Sequence, residues 1–109
     1  GNIAIIRDWG WAPEYVEAMQ LILRDINNRD QIICTGEKNS LSYFVKIVFD
    51  KLDLSWESYV RINKDFFRPN EIMQSYGNPE KLFNDLGWRS KIDINDMIDI
   101  LINDRLKEI

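Results

Sequence analysis

The sequence contains no histidine and a single cysteine, Cys34, among its 109 residues. Without histidine the common zinc sites and His-based nucleophilic triads are excluded, and one thiol cannot close an internal disulfide. No run approaches the ~20 consecutive apolar residues of a membrane-spanning helix, and no basic-then-apolar leader opens the chain. Glycine is sparse and dispersed: Gly1, Gly10, Gly36, Gly77 and Gly87 lie too far apart to form the turn that cradles a pyrophosphate. None of Tyr15, Tyr43, Tyr59 and Tyr76 is followed by lysine at the fourth position, so the Tyr-x-x-x-Lys acid–base pair is missing as well. These absences describe a cytoplasmic, metal-free protein with no membrane association and no catalytic residues of its own.

What is present is an ordinary globular composition, 45% hydrophobic and 29% charged, with 18 acidic against 14 basic residues and a net charge of -4. A chain of this size buries roughly 65% of its unfolded surface, enough for one core, and 1–109 reads as one domain with no linker or repeat. The basic residues are scattered, which argues against a nucleic-acid surface. The chain opens on Gly1 and runs straight into Ile3, Ala4, Ile5 and Ile6, which read as the interior of a strand. We expect a piece of a longer protein.

Pro13 and Glu14 suit the first turn of a helix, and Tyr15, Ala18, Met19, Ile22, Leu23 and Ile26 repeat at helical spacing, placing its end near Asn27 and Asn28. Gln31 to Thr35 reads as a short buried strand. Ser40 caps a second helix that buries Leu41, Phe44, Val45, Val48 and Leu52. The β-prone residues Tyr59 to Ile62 predict another short strand, and Pro69 biases Arg68 toward extended backbone. Asn78 caps a helix over 79–86 that buries Leu82, Phe83 and Leu86 and stops at Gly87; a last helix after Asp93 turns Ile94, Met97, Ile98, Leu101 and Ile102 inward. Four helices with two or three short strands make the fold class α/β, in the form of a small α+β unit.

Few residues invite a chemical reading. Asp96 and Asp99 are either a solvated helix face or a carboxylate pair, and the face is the simpler account. Cys34, among apolar neighbours, reads as a small hydrophobe. Arg7 and Arg68, taken singly, read as surface or helix-end partners.

Several ordered motifs change that reading. Arg7-Asp8-Trp9-Gly10-Trp11-Ala12-Pro13-Glu14-Tyr15-Val16-Glu17-Ala18-Met19 resembles a segment of the GDP-mannose 4,6-dehydratases. Thr35, Gly36, Glu37 and Ser40 resemble that family's A-T-G-E-x-x-S turn. Phe66-Phe67-Arg68-Pro69-Asn70-Glu71, then Gly77-Asn78-Pro79-Glu80-Lys81, then Leu86-Gly87-Trp88 resemble its F-R-P-x-E, G-D-P-x-K and L-G-W elements. The family belongs to the extended short-chain dehydrogenase/reductases. The resemblance implies the C-terminal, sugar-nucleotide-gripping part, without the N-terminal Rossmann half that holds NADP and the catalytic Ser/Thr, Tyr and Lys.

It further implies that Arg7 and Arg68 meet the diphosphate of a GDP-sugar, that Glu71 accepts hydrogen bonds from ribose or base, and that the parent enzyme is a homo-oligomer. Arginine suits that role, since each guanidinium donates in a fork that matches phosphate oxygens. Trp9 either walls the nucleotide pocket or packs beneath it, whereas Trp11 reads as core. Asp8 reads as orienting Arg7 or the helix start. Two departures stand out: Asn78 replaces the usual aspartate, and the stretch between Leu54 and Ile62 is short where many members carry an insertion. The compact form is shared with other sugar-nucleotide reductases and epimerases, so another such enzyme stays open, as does a free-standing, non-catalytic binding module.

Overall fold

A computed structural model describes residues 1–108. Its elements run β1 (Ile6–Arg7), α1 (Ala12–Leu23), β2 (Asn39–Ser40), α2 (Leu41–Lys51), β3 (Gln74–Ser75), α3 (Glu80–Leu86) and α4 (Ile94–Leu106). Single 3-10 turns at Trp56–Ser58 and Lys64–Phe66 punctuate the long connection after α2. The α/β class with four helices holds. The sheet has the order β2-β1-β3, antiparallel on one side and parallel on the other, with Ile6 opposite Ser40 and Gln74, and Arg7 opposite Asn39 and Ser75.

The strand expected over Ile3–Ile6 is shorter and shifted. The Ile3 and Ile5 carbonyls accept from Ser42 N (2.8 Å) and Leu41 N (2.9 Å), so they serve the orphan amides of the α2 first turn instead of a ladder. Two expected strands do not form. Gln31–Thr35 has no neighbour to pair with among the described residues, and the chain around Tyr59–Ile62 follows a 3-10 turn that places the Tyr59 ring on Phe49, 5.7 Å between centroids. β3 was not foreseen; its polar, exposed residues carry no strand pattern.

The helix termini follow the capping residues. Ser40 accepts from Tyr43 N at 3.1 Å and Asp93 from Asp96 N at 2.9 Å. Asn78 accepts from Glu80 N, and Gly87 closes α3 with φ 76°, a left-handed value that favours glycine. α1 is the exception: it stops at Leu23, short of Asn27 and Asn28. The buried Asp25 carboxylate accepts from Asn27 N (3.1 Å) and Arg29 Nε (3.0 Å), and this side-chain turn competes with further helix. Arg29, Gln31 and Lys81 then converge on Asp85, tying this loop to α3.

Burial divides into two clusters. Ala18, Leu82 and Trp88 form one, joined by Tyr15, Ile22, Ile33 and Leu86; Ile94, Met97 and Ile98 form the other, joined by Trp9, Trp11, Phe44, Ile47 and Val48. Seven residues expected inside are substantially exposed: Met19, Leu23, Ile26, Ile32, Leu52, Phe83 and Leu101. Phe83 instead lies under the Arg89 guanidinium, 4.0 Å from the ring centroid. Asp99 pairs with Lys51 of α2 at 2.7 Å, so Asp96 and Asp99 form no carboxylate pair.

Tyr15 supplies a pH test of the first cluster. Burial, followed by the carboxylate of Asp8, pushes its hydroxyl from 10.0 up to about 12. The folded chain therefore holds the phenol proton more tightly than the unfolded chain does. Its contribution is complete below pH 10 and disappears as pH rises toward 12. Tyrosinate absorbance followed alongside alkaline unfolding should show one tyrosine ionising only as the fold opens, and Tyr15→Phe should remove that component.

Candidate functional site

β1 delivers the site's first residues. Because Arg7 sits between Asn39 and Ser75, its backbone is held on both edges and its side chain projects from a fixed point. The Arg7 guanidinium donates through Nη1 to Ile6 O (2.8 Å) and through Nη2 to Glu71 Oε1 (3.3 Å), both partly buried. Glu71, expected to meet a ribose or base, thus already holds Arg7 across 64 residues of sequence. Its second oxygen, Oε2, has no partner among the described residues.

Arg7, Trp9, Arg68 and Glu71 line a single cleft of about 710 Å³, together with Leu41 and Phe66. Arg68 is exposed, and no ion pair engages it among the described residues. Trp9 both lines this cleft and packs beneath it. One edge reaches the cleft, while the ring packs on Phe44 at 5.0 Å and Nε1 donates to Asn39 O at 3.4 Å. Trp11 packs against the second cluster, as expected. The cleft therefore offers one held cation, one uncommitted cation, a carboxylate with a free oxygen and an aromatic wall.

Asp8 does something that the reading of Arg7-Asp8-Trp9 missed. Its carboxylate neither orients Arg7 nor caps α1; it accepts from Thr35 N (3.0 Å), the Thr35 hydroxyl and Gly36 N (2.9 Å), with Gly77 N at 3.5 Å. One side chain at the cleft gathers two distant stretches onto its own strand end. Only the Thr35-Gly36 turn hinted at this, by presenting successive amides to an anion. Beside it, burial pushes the Cys34 thiol up, and Asp8 adds to the effect. The thiolate is disfavoured, in keeping with the small-hydrophobe reading. Cys34 also explains Gly77, where a Cβ would lie 2.6 Å from the sulfur.

These contacts bear on where a dinucleotide would sit. The amides of Gly36 and Gly77 are spent on Asp8, so they make no cradle for a pyrophosphate. No helix among the described residues is long and apolar enough to cross a membrane.

Comparison with known proteins places this arrangement. Residues 1–101 match the sequence model of GDP-mannose 4,6 dehydratase. The chain is 34% identical over 107 residues to GDP-mannose 4,6 dehydratase 1 of Arabidopsis thaliana, covering 98% of this chain and 30% of that protein. It is 34% identical over 115 residues to the GDP-mannose 4,6 dehydratase of Dictyostelium discoideum, covering 90% and 32%. The structure of RMD from Pseudomonas aeruginosa complexed with NADPH shares the fold, with a TM-score of 0.81 at 18% identity over 100% of this chain and 35% of that one. The chain thus spans about 30% of the length of the relatives it matches. On the match over residues 1–101, the chain belongs to the GDP-mannose 4,6 dehydratase family.

Proposed function

We propose that residues 1–109 form the C-terminal, GDP-sugar-binding domain of a cytoplasmic, homo-oligomeric enzyme that converts GDP-mannose to GDP-4-keto-6-deoxymannose. The observation that carries this reading is the convergence of Arg7, Arg68, Glu71 and Trp9 on one cleft. Arg68 reaches the diphosphate first, being exposed and unpaired, and Arg7 follows from a position that Glu71 has already set. Charge-assisted bonds of this kind are worth about 1.5–3 kcal/mol each. Oε2 of Glu71 is left to accept from a ribose or base donor, and the Trp9 edge closes the cleft wall.

The chemistry itself belongs elsewhere. This chain carries neither the Tyr-x-x-x-Lys pair nor closely spaced glycines for a dinucleotide, so NADP and the reacting residues are assigned to an N-terminal Rossmann domain of the same protein. Here the chain's residues bind and orient.

Heteronuclear NMR titration of the chain with GDP-mannose, GDP and UDP tests the assignment. Saturable shifts are expected at Arg7, Trp9, Arg68 and Glu71 with the guanosine ligands, and Arg68→Ala should weaken them about 10- to 100-fold. Equal response to UDP would favour another sugar-nucleotide enzyme. Silence at those four residues at millimolar ligand, or an unchanged affinity in Arg68→Ala, would overturn the site.

A further inference from the structure

The apolar stripe of α4 runs further than the core that covers it. In its N-terminal half Ile94, Met97 and Ile98 are at most 6% exposed, whereas Leu101 and Leu106, further along the same stripe, are 47% and 52% exposed. Between α2 and α4 this leaves an open groove of about 340 Å³, with Phe44, Val48 and Leu52 on one wall and Ile98, Leu101 and Ile102 on the other. Every side chain that lines the groove is hydrocarbon except that of Arg105. The Arg105 guanidinium is 79% exposed and pairs with Glu108 at 2.8 Å. Lys51, the cation that ends α2, is already held by Asp99 at 2.7 Å.

Size and chemistry select the occupant. The outer face of the α2–α4 pair measures about 20 by 20 Å, taking ~1.5 Å of rise for each of the 13 residues of α4 and ~10 Å for the width of each helix. That is about 400 Å² per copy, half of the ~800 Å² per partner of a standard stable interface, so a second copy gains too little here. The groove volume falls instead within the range of small-molecule sites, which begins near ~300 Å³. A polar ligand would give up its hydrogen bonds to water along these walls and find none in return, which restricts the buried part to hydrocarbon. The single guanidinium then selects an anionic head, whose oxygens match its donor fork. An exposed pair such as Arg105–Glu108 contributes little, so an incoming carboxylate exchanges with Glu108 at small cost. From Ile98 to Arg105 α4 rises about 10 Å, the reach of an extended chain of about eight carbons at ~1.5 Å per bond.

We propose that the groove between α2 and α4 binds a medium-chain fatty acid, with its acyl chain between Val48 and Ile102 and its carboxylate on Arg105. The groove and the cleft of Arg7 and Arg68 share no lining residue, so occupancy of one is readable without the other.

Methyl-detected NMR titration of the chain with octanoate, 1-octanol and butyrate, each kept below its aggregation limit, tests the assignment. Saturable shifts are expected at Val48, Leu101 and Ile102 with octanoate. 1-Octanol has the tail without the charge and should bind about 10-fold more weakly. Butyrate has the charge but lacks four methylenes, and should be weaker by at least ~10-fold. Arg105→Gln should lower octanoate affinity about 10-fold and erase its advantage over 1-octanol; the side chain is exposed, so the variant keeps the fold. No saturation at ~10 mM octanoate, equal affinity for 1-octanol, or an Arg105→Gln chain that binds like the parent would overturn the proposal. Equal shifts at Leu23 and Ile26, which are bare elsewhere on the surface, would reduce the effect to unspecific adsorption and overturn it as well. Two further outcomes also reject it: groove shifts that grow with protein concentration in the absence of octanoate, which would make a second copy the occupant, and a response to phosphatidylglycerol vesicles without one to octanoate, which would make the face a membrane contact.

Discussion

Asp8→Ala is expected to lower the unfolding free energy by about 3 kcal/mol or more. The substitution removes an ionised acceptor from Thr35 N, Gly36 N and the Thr35 hydroxyl together. Hydrogen bonds to a charged group contribute about 1.5–3 kcal/mol each, and they are not independent here because all of them end on one carboxylate. The larger part of the cost comes from what is left behind: two amides in a partly buried turn with no partner. For a domain of this size such a loss corresponds to a melting temperature lower by roughly 12 °C or more. Thr35→Val, which keeps the two amide bonds, should cost much less. Urea unfolding of both variants decides the matter, and an Asp8→Ala chain within 1 kcal/mol of the parent would contradict the hub assignment. Because Asp8 follows Arg7 on the same strand end, the variant should also loosen the cleft wall and broaden the Arg7 resonances.

The second large effect is expected from Leu82→Ala, about 2–5 kcal/mol. Leu82 is 1% exposed and packs between Ala18 and Trp88, so truncation leaves a void lined by two elements. α3 has seven residues, too few to persist without that packing. Phe83 on the same helix serves as the control. It is 40% exposed and covered mainly by Arg89, so Phe83→Ala should cost only about 1 kcal/mol. Equal costs for the two substitutions would mean that α3 does not sit on the core through Leu82.

The contrast between Leu82 and Phe83 also measures how far the sequence could be read. Helices were legible because their signals are local: Ser40, Asp93 and Gly87 act on neighbours three or four residues away, and each performs its expected role. Helical spacing also located the buried stripes but overstated their width, since the second face of α3 or α4 is covered only if another element reaches it. Strands were less legible. Gln31–Thr35 has strand residues without a partner among the described residues, while Gln74–Ser75 has a partner in β1 without strand residues. Pairing, not propensity, decides such short strands. The cleft residues were legible through motifs that resemble a family, and through nothing else. The bond between Arg7 and Glu71 spans 64 residues, and those of Asp8 span 27 to 69, distances at which one sequence carries no pairing information.

The two buried clusters have a consequence for how the chain holds together under stress. The molecule is a slab of 52 × 39 × 19 Å with a radius of gyration of 16.7 Å, against about 13 Å for a compact domain of this length. The start of α1 belongs to both halves. Trp11 and the Glu14 carboxylate, which accepts from Lys91 N and Ile92 N, bind it to the α2 and α4 side, while Tyr15, Ala18 and Ile22 bind the following turns to α3. α1 is therefore one element shared by both halves, and its rotation or fraying would loosen them from each other. Trp88 reports one half and Trp9 and Trp11 the other, so the sequence already carries a fluorophore for each side of that hinge.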